Sequence, residues 1–440
     1  MKFYKRQLKL IKRKYKYLFL VLFTVSGNIF AFDEANSLNY KNGVQNCSYP
    51  QYPLLIYEDE SDVLNAGKMD IKSNGEMYLD GNVLIGLNDG KINADSATFL
   101  QKHNSIKDIK KDIENPTSPR TVFGVMVEAL RLRRQLGYGP VTGLCCDNLE
   151  KNGVVLHRAV TKLAEQIDPD LAEWISENCS FPCSMVDCIV PSTGAYELEL
   201  VQAYSLNDNV PVTHENFRQW VIEDDFCAGR PDLEKVGVIF TKKVHYYETM
   251  KIRLLNGGHQ IIANVGELLS LVTISDCMQD TRIASLFVKI LSEEIAPHVE
   301  SVPNKTPAEY IELIQKRFSN PTVVDTTRRV AFDGSSRHPE FLVPSINKAV
   351  ETGSSISGLA LAEAIWARMC EGTREDGSKI KPNDPNWFDL ERTARVAKEK
   401  PSAWLDQRQY YGHLNSNKIF SDTFANWLRK IWNSGVEAAI

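Results

Sequence analysis

The chain is expected to be multi-domain: a small antiparallel β fragment, then an α/β portion, then an all-α portion. Three observations lead there. Its 440 residues, 43% hydrophobic and 24% charged, are enough for two or three packed cores. Strand and turn signals crowd residues 32–104, whereas helices and short apolar strands alternate over 107–243. From about Val244 to Ile440 the apolar spacing is almost wholly helical.

The N-terminus comes first. Residues 1–16 carry eight Lys or Arg and no acid, followed by the apolar run YLFLVLFTVSG over 17–27 and the small Ala31. Basic head, short apolar centre and small exit residue read as a secretory signal over 1–31. The run falls short of the roughly 20 apolar residues that span a bilayer. A buried terminal helix is the plainer alternative. The formal net charge of −5 does not favour a nucleic-acid partner. Nine cysteines, an odd number with no regular spacing, are expected to be small buried residues of a reduced protein rather than a disulfide framework or a zinc site. Export and reduced thiols point to different compartments.

In GEMYLDGNVLIG, residues Met77, Leu79, Val83 and Ile85 alternate onto one face. Asn74-Gly75 before this strand and Asn88-Asp89-Gly90 after it are hairpin turns. The stretch QKHNSIKDIKKDIENPTS over 101–118 is charged and ends near Pro116 and Pro119, so it reads as a junction. Beyond it, Val122, Val125, Met126, Ala129 and Leu130 mark a helix. Residues 140–146 and 184–190 are expected to be strands, with a helix over 152–167 between them.

Two stretches carry chemistry. CCDNLEKNG puts Asp147 and Asn148 where a strand ends. Polar groups at that edge of an open α/β sheet bind ligands, and an Asx turn capping the next helix explains them equally well. YYETMKIRLLNGGHQ places Lys251, Asn256 and His259 in an apolar helix. On an ideal α-helix Lys251 and His259 stand roughly 12 Å apart, so they would reach successive groups of an extended substrate unless Gly257-Gly258 bends the helix. A buried Lys can serve as a general base near neutral pH; a snorkelling Lys and a helix-terminal His are the plainer alternative. No GxGxxG, P-loop or HExxH occurs.

Two resemblances sharpen these readings. The GEMYLDGNVLIG stretch with NADSATF after it is similar to a periplasmic repeat of the lipopolysaccharide-transport, organic-solvent-tolerance family, which implies a jellyroll groove for lipid. One repeat covers about residues 62–100, and roughly three are needed for a stable stack. From about residue 107 onward, PRTVFGVMVEAL, CDNLEKNG, VDCIVPST, GRPDLEKVGVIF, YETMKIRLLNGGH, RFSNPTVVDTTRR, DGSSRHPEFLVP and GTREDGSKIKPNDPNW follow in order and spacing. Together they resemble the polyol-specific long-chain, mannitol-type dehydrogenase family.

That resemblance implies an incomplete Rossmann-like α/β portion over 107–243. The all-α substrate domain over 244–440 would be of the 6-phosphogluconate dehydrogenase C-terminal type. It implies metal-free oxidation of a polyol such as D-mannitol to D-fructose, reversibly, with NAD. Lys251 would be the base, Asn148 and Asn256 would hold the alkoxide, and His259 would keep the substrate in register. Arg329 and Arg337 would face substrate hydroxyls, surface salt bridges being their alternative, and Asp187 would lie near the reaction centre. Cys188 stands where the family has Arg, which removes any ion pair that Arg made. The missing Gly-rich turn predicts weak NAD binding and slow turnover. The rival class is a periplasmic envelope or lipid-binding protein with the dehydrogenase part as passenger; a chain joined by recombination or an erroneous gene model is the third.

Overall fold

The structure, a computed structural model, describes residues 105–440 except 192 and 209, and before them only the backbone of six strands. Among those, Glu76–Leu87 pairs antiparallel with Gly90–Leu100, and Phe19–Leu22 runs parallel to Thr142–Cys145. Of residues 1–31, read as a leader, only the backbone of Phe19–Leu22 is described, and of residues 62–100 only strand backbone, so the cleavage site and the side chains of a lipid groove lie outside the described residues.

The charged junction is a helix over most of its length, Ser105–Glu114. Ile109 and Ile113 pack on the first core, whose centre is Met126, Leu130, Val160, Leu171 and Ile175. Asp112 is fully buried and closes the junction: its carboxylate accepts from Arg120 N (2.6 Å), Thr121 N (3.0 Å) and Thr121 Oγ1 (2.5 Å). Thr121 in turn caps the helix Val122–Gln135 by accepting from Gly124 N. Lys and Asp around the isoleucines hid this helix from the charge-based reading.

The strand Thr142–Cys145 is buried at every position. It is followed by the helices Asn152–Ile167 and Pro169–Asn178, the second with Pro at its first turn and Asp168 as its cap. A three-stranded sheet comes next. Ser184–Asp187 pairs antiparallel with Gln219–Ile222, which runs parallel to Ile239–Phe240.

From Val244 the chain is helical among the described residues, apart from isolated bridges. Ser357–Met369 is its central rod: the run SGLALAEAIWARM is apolar nearly all round, and every residue from Leu359 to Met369 is buried. Its second core joins Phe287, Trp366, Trp404 and Phe420 and also takes in Met185 and Val221 from the three-stranded sheet. The three-stranded sheet and the all-α portion therefore share one apolar interior, distinct from the first core. Among the described residues, no helix is long and apolar enough to cross a membrane, and no disulfide joins the cysteines.

Candidate active site

The turn after Thr142–Cys145 is fixed from beneath. Asn152 donates to Asp147 O (2.9 Å) and Ser184 O (2.7 Å) and accepts from Ser184 N (3.0 Å), so one buried amide rivets the turn to the next strand. Ser184 Oγ donates to Cys145 O (2.6 Å). Gly153 is obligatory here, because a Cβ would stand 2.3 Å from Phe181 O. The following helix begins after Lys151 (φ 56°) with no side-chain cap. Asn148 is therefore not a capping residue. Its Oδ1 accepts a hydrogen bond from Lys251 Nζ, 103 residues away in the all-α portion.

Lys251 opens an unusual segment. Val244–Met250 is α-helical, Lys251–Asn256 is π-helical, and Gly257–Leu268 is α-helical again. Bonds in a π turn run from residue i to i+5, as from Gly257 N to Ile252 O. This sets Asn256 about one turn beyond Lys251, on the same side. Gly257 has ordinary helical angles, so the departure from a regular helix is the π turn rather than a bend at that glycine. Gly258 instead makes room: a Cβ there would meet Phe287 at 2.6 Å.

Burial gives these groups their chemistry. Lys251 is 7% exposed, and desolvation pushes its pKa down to about 8, against the pull of Asp187 and Asp147 and with the push of Arg317. The Asn256 amide makes no hydrogen bond among the described residues. His259 stacks on Phe318 (4.0 Å between centroids, 7° between planes), and its Nε2 is buried without a partner. Burial pushes its pKa down to about 3, Asp325 opposing and Arg329, Arg317 and Arg337 assisting, so the ring is neutral. Glu248, one turn before Lys251, is also buried, and its carboxyl is pushed up to about 7 by desolvation.

The remaining expected residues surround this core. Arg329 forks onto Asp325 (Nε to Oδ1 2.7 Å, Nη2 to Oδ2 2.5 Å). Arg337 donates to Val330 O (2.7 Å), and burial pushes it down to about 10. Both are half-buried and lie within electrostatic reach of His259, and Arg329 does form an ion pair, with Asp325. Asp187 needs a correction. Its carboxylate accepts from Arg317 Nη1 (2.9 Å), Arg317 Nη2 (2.6 Å) and Tyr310 Oη (2.6 Å). It is committed to a buried ion pair rather than to substrate, and only its charge reaches Lys251. Cys188 itself makes no ion pair among the described residues, and the arginine beside Asp187 comes instead from helix Pro307–Phe318. Arg317, Phe318 and Asp325 were passed over, although all three sit in the segment RFSNPTVVDTTRR.

Comparison with known proteins adds a second line of observation. Residues 57–235 match the family model of the mannitol dehydrogenase Rossmann domain, and residues 243–432 that of the mannitol dehydrogenase C-terminal domain. The first match begins inside the segment read as a β fragment. The chain is similar to mannitol 2-dehydrogenase of Cereibacter sphaeroides, with 48% identity over 333 residues that cover 76% of this chain and 70% of that protein. It is 42% identical over 279 residues to D-mannonate oxidoreductase of Escherichia coli, covering 63% of this chain and 57% of that protein. Among solved structures it resembles Pseudomonas fluorescens mannitol 2-dehydrogenase in ternary complex with NAD and D-mannitol. The TM-score is 0.71 at 33% identity, over 76% of this chain and 68% of that one. The chain thus spans about two thirds of the length of such relatives. Two matching family models and a half-buried Lys–Asn pair joining their halves lead to one assignment: the chain belongs to the mannitol dehydrogenase family.

Proposed function

We propose that this chain is an NAD-dependent dehydrogenase that interconverts a secondary alcohol of a polyol, D-mannitol first, with the ketone of the matching ketose. The observation that carries the reading is the bond between buried Lys251 Nζ and half-buried Asn148 Oδ1, where the two portions meet. Relatives named for mannitol and the solved ternary complex supply the substrate and the cofactor.

The donor set suits an alcohol oxygen. Above pH 8 the Lys251 amine is largely uncharged and takes the hydroxyl proton as general base. Asn148 uses its carbonyl oxygen to hold Lys251, which leaves its amide N–H groups to donate to the developing alkoxide. The unpartnered Asn256 amide is a second such donor, and the two form an oxyanion-hole arrangement. Neutral His259, with Nε2 open, bonds a further hydroxyl. Arg329 and Arg337 continue the row along an extended substrate.

When bound, NAD supplies the hydride acceptor. The turn 146–151 at the end of a buried strand is where an open α/β sheet receives a dinucleotide, and it would hold the nicotinamide end. Among the described residues no Gly-rich turn is present for the pyrophosphate. The test is mannitol-dependent NADH formation by the purified full chain, with NAD titrated by calorimetry. Turnover accompanied by weak NAD binding is the expected pair of results. No turnover with any polyol or ketose would overturn the function, and micromolar NAD binding would overturn the inference from the missing motif.

The lipid-binding reading of residues 62–100 rests on one motif, which the Rossmann-domain match overlaps. Export rests on the leader pattern of residues 1–31. Fractionation of cells carrying the tagged full chain, with N-terminal sequencing of the product, tests it: a processed periplasmic product supports export, and an unprocessed cytoplasmic one overturns it.

A further inference from the structure

Arg317 stands at a crossing. From helix Pro307–Phe318 its guanidinium reaches two strand-end regions of the α/β portion. Nη1 and Nη2 fork onto Asp187, while Nε (2.9 Å to Oε2) and Nη2 (2.6 Å to Oε1) hold Glu215. Tyr310 Oη completes Asp187, and Ile189 N donates to Glu215 Oε1 (2.6 Å). The Phe217 ring lies 4.2 Å below the guanidinium carbon. Asp187, Glu215, Arg317 and Tyr310 are all buried. So many partners leave the guanidinium a single placement, and with it the end of its helix. The next residue, Phe318, is the one stacked on His259. Helix Pro307–Phe318 also packs against the π segment that opens with Lys251, which brings Arg317 within electrostatic reach of both His259 and Lys251.

We propose that Arg317 is a positioning residue of the active site. Clamped by Asp187 and Glu215, it fixes Phe318 against the His259 ring, and its charge, balanced by Asp187, sets the field around the Lys251 amine. The proposal rests on the dehydrogenase reading for its kinetic tests but not for its spectroscopic one.

The charged and titratable groups around Lys251 come from every element packed on it. They are Asp147 beside Asn148 on the turn, Asp187 at the strand end, Arg317 with Tyr310 on helix Pro307–Phe318, Arg337 and Glu340 on helix Gly334–Phe341, Glu294 on Leu291–Ile295, and Glu248 and His259 on the helical turns either side of Lys251. Arg317 disfavours the ammonium form and Asp187 favours it. Removing either charge should therefore move the Lys251 titration in opposite directions. Neutralising Arg317 raises it, and neutralising Asp187 lowers it, each by on the order of one pH unit for a nearby charge. General loosening of the fold would move both the same way.

The variants are Arg317→Gln, Asp187→Asn, Arg317→Lys and Phe318→Leu in the full chain. Two readouts are used: the pH dependence of kcat/KM for polyol oxidation, and the NMR signals of the His259 ring and the Lys251 ε-carbon without substrate. Expected are an upward pH midpoint in Arg317→Gln and a downward one in Asp187→Asn. Arg317→Lys keeps the charge and the parental midpoint but loses the fork, so KM rises. Phe318→Leu raises KM roughly tenfold, as loss of one substrate contact does, and shifts the His259 ring signals with the midpoint unchanged. Midpoints moving together, or His259 signals indifferent to Phe318→Leu and Arg317→Lys, would overturn the proposal. If Arg317→Gln or Asp187→Asn does not fold, the Lys and Leu variants decide it by the same criteria. If the parent turns over no polyol, the function fails, while the Lys251 and His259 signals still decide the positioning role.

Discussion

Two buried polar clusters flank the helix that carries Lys251, and they differ in how complete they are. Deep in the all-α portion, His338 has both ring nitrogens engaged, Nδ1 with Glu363 Oε1 (2.9 Å) and Nε2 with Asn264 Nδ2 (2.9 Å). Glu363 Oε2 accepts from Tyr411 Oη (2.7 Å), which accepts from Trp404 Nε1 (2.7 Å). The imidazole also stacks on Trp366 at 4.1 Å. At the junction of the portions, Lys251 has one side-chain hydrogen bond, His259 has an open Nε2, and the Asn256 amide is unpartnered. Burying polar atoms without partners costs free energy. A fold tolerates that cost where a substrate will supply the missing bonds. Asn264 Oδ1, beside His338, lacks a partner too, so the inner cluster is closed at its imidazole and carboxylate rather than throughout; we read it as architecture and the outer one as chemistry.

The contrast breaks most visibly at Lys251. Lys251→Ala should lower kcat for polyol oxidation by roughly 10²- to 10⁴-fold, the usual contribution of a positioned base, with little change in thermal midpoint. In the parent, oxidation should rise with pH through about 8 as the ammonium loses its proton. Ketose reduction needs that proton and should fall over the same interval. An alanine variant as fast as the parent would make Lys251 a structural lysine. Glu363→Ala tests the other cluster. It strands His338 and Tyr411 in the core, so unfolding free energy should drop by about 3 kcal/mol, read from urea melts, with an unmoved pH–rate profile. A shifted profile would show the closed cluster to be coupled to the chemistry after all.

Asn256→Ala sharpens the contrast further. Loss of one oxyanion donor should cost on the order of 10²-fold in kcat and nothing in stability, because no bond within the fold is lost. A KM effect alone would make Asn256 a substrate-binding rather than a transition-state group. The smallest effect is expected at His259→Ala: KM for the polyol should rise roughly tenfold, as for one lost hydrogen bond, with kcat nearly kept. A large kcat loss would place His259 in proton transfer.

What the sequence disclosed follows the same division. Lys251, Asn148, Asn256 and His259 were legible because they sit at fixed offsets within ordered segments, and the helical spacing beyond Val244 marked the all-α portion. Arg317, Glu215 and Asp187 were not, because 102 and 130 residues separate the partners and an ion pair closed by folding leaves no local pattern. Asp187 was expected near the reaction centre by resemblance, but nothing local in the sequence pointed to its arginine. The helix Ser105–Glu114 was hidden for another reason: charge outweighed three well-spaced isoleucines. The π segment leaves no mark on composition at all, since KIRLLN reads as ordinary helix.

That π segment has a consequence for how the protein tolerates change. Local π turns amount to a residue more than a regular helix would need for the same span. Deleting one residue from 252–255 would let the whole stretch relax into α-helix, an energetically comfortable outcome. Asn256 would then be the fourth residue after Lys251 on an α-helix, still about one turn on and on the same face, so the deletion should fold and keep the shared face of Lys251, Asn256 and His259. The damaging change is the opposite one: straightening the segment into α-helix at its present length would carry Asn256 roughly 100° further round, away from the base. It is the wide turn, rather than the number of residues, that holds Asn256 beside Lys251.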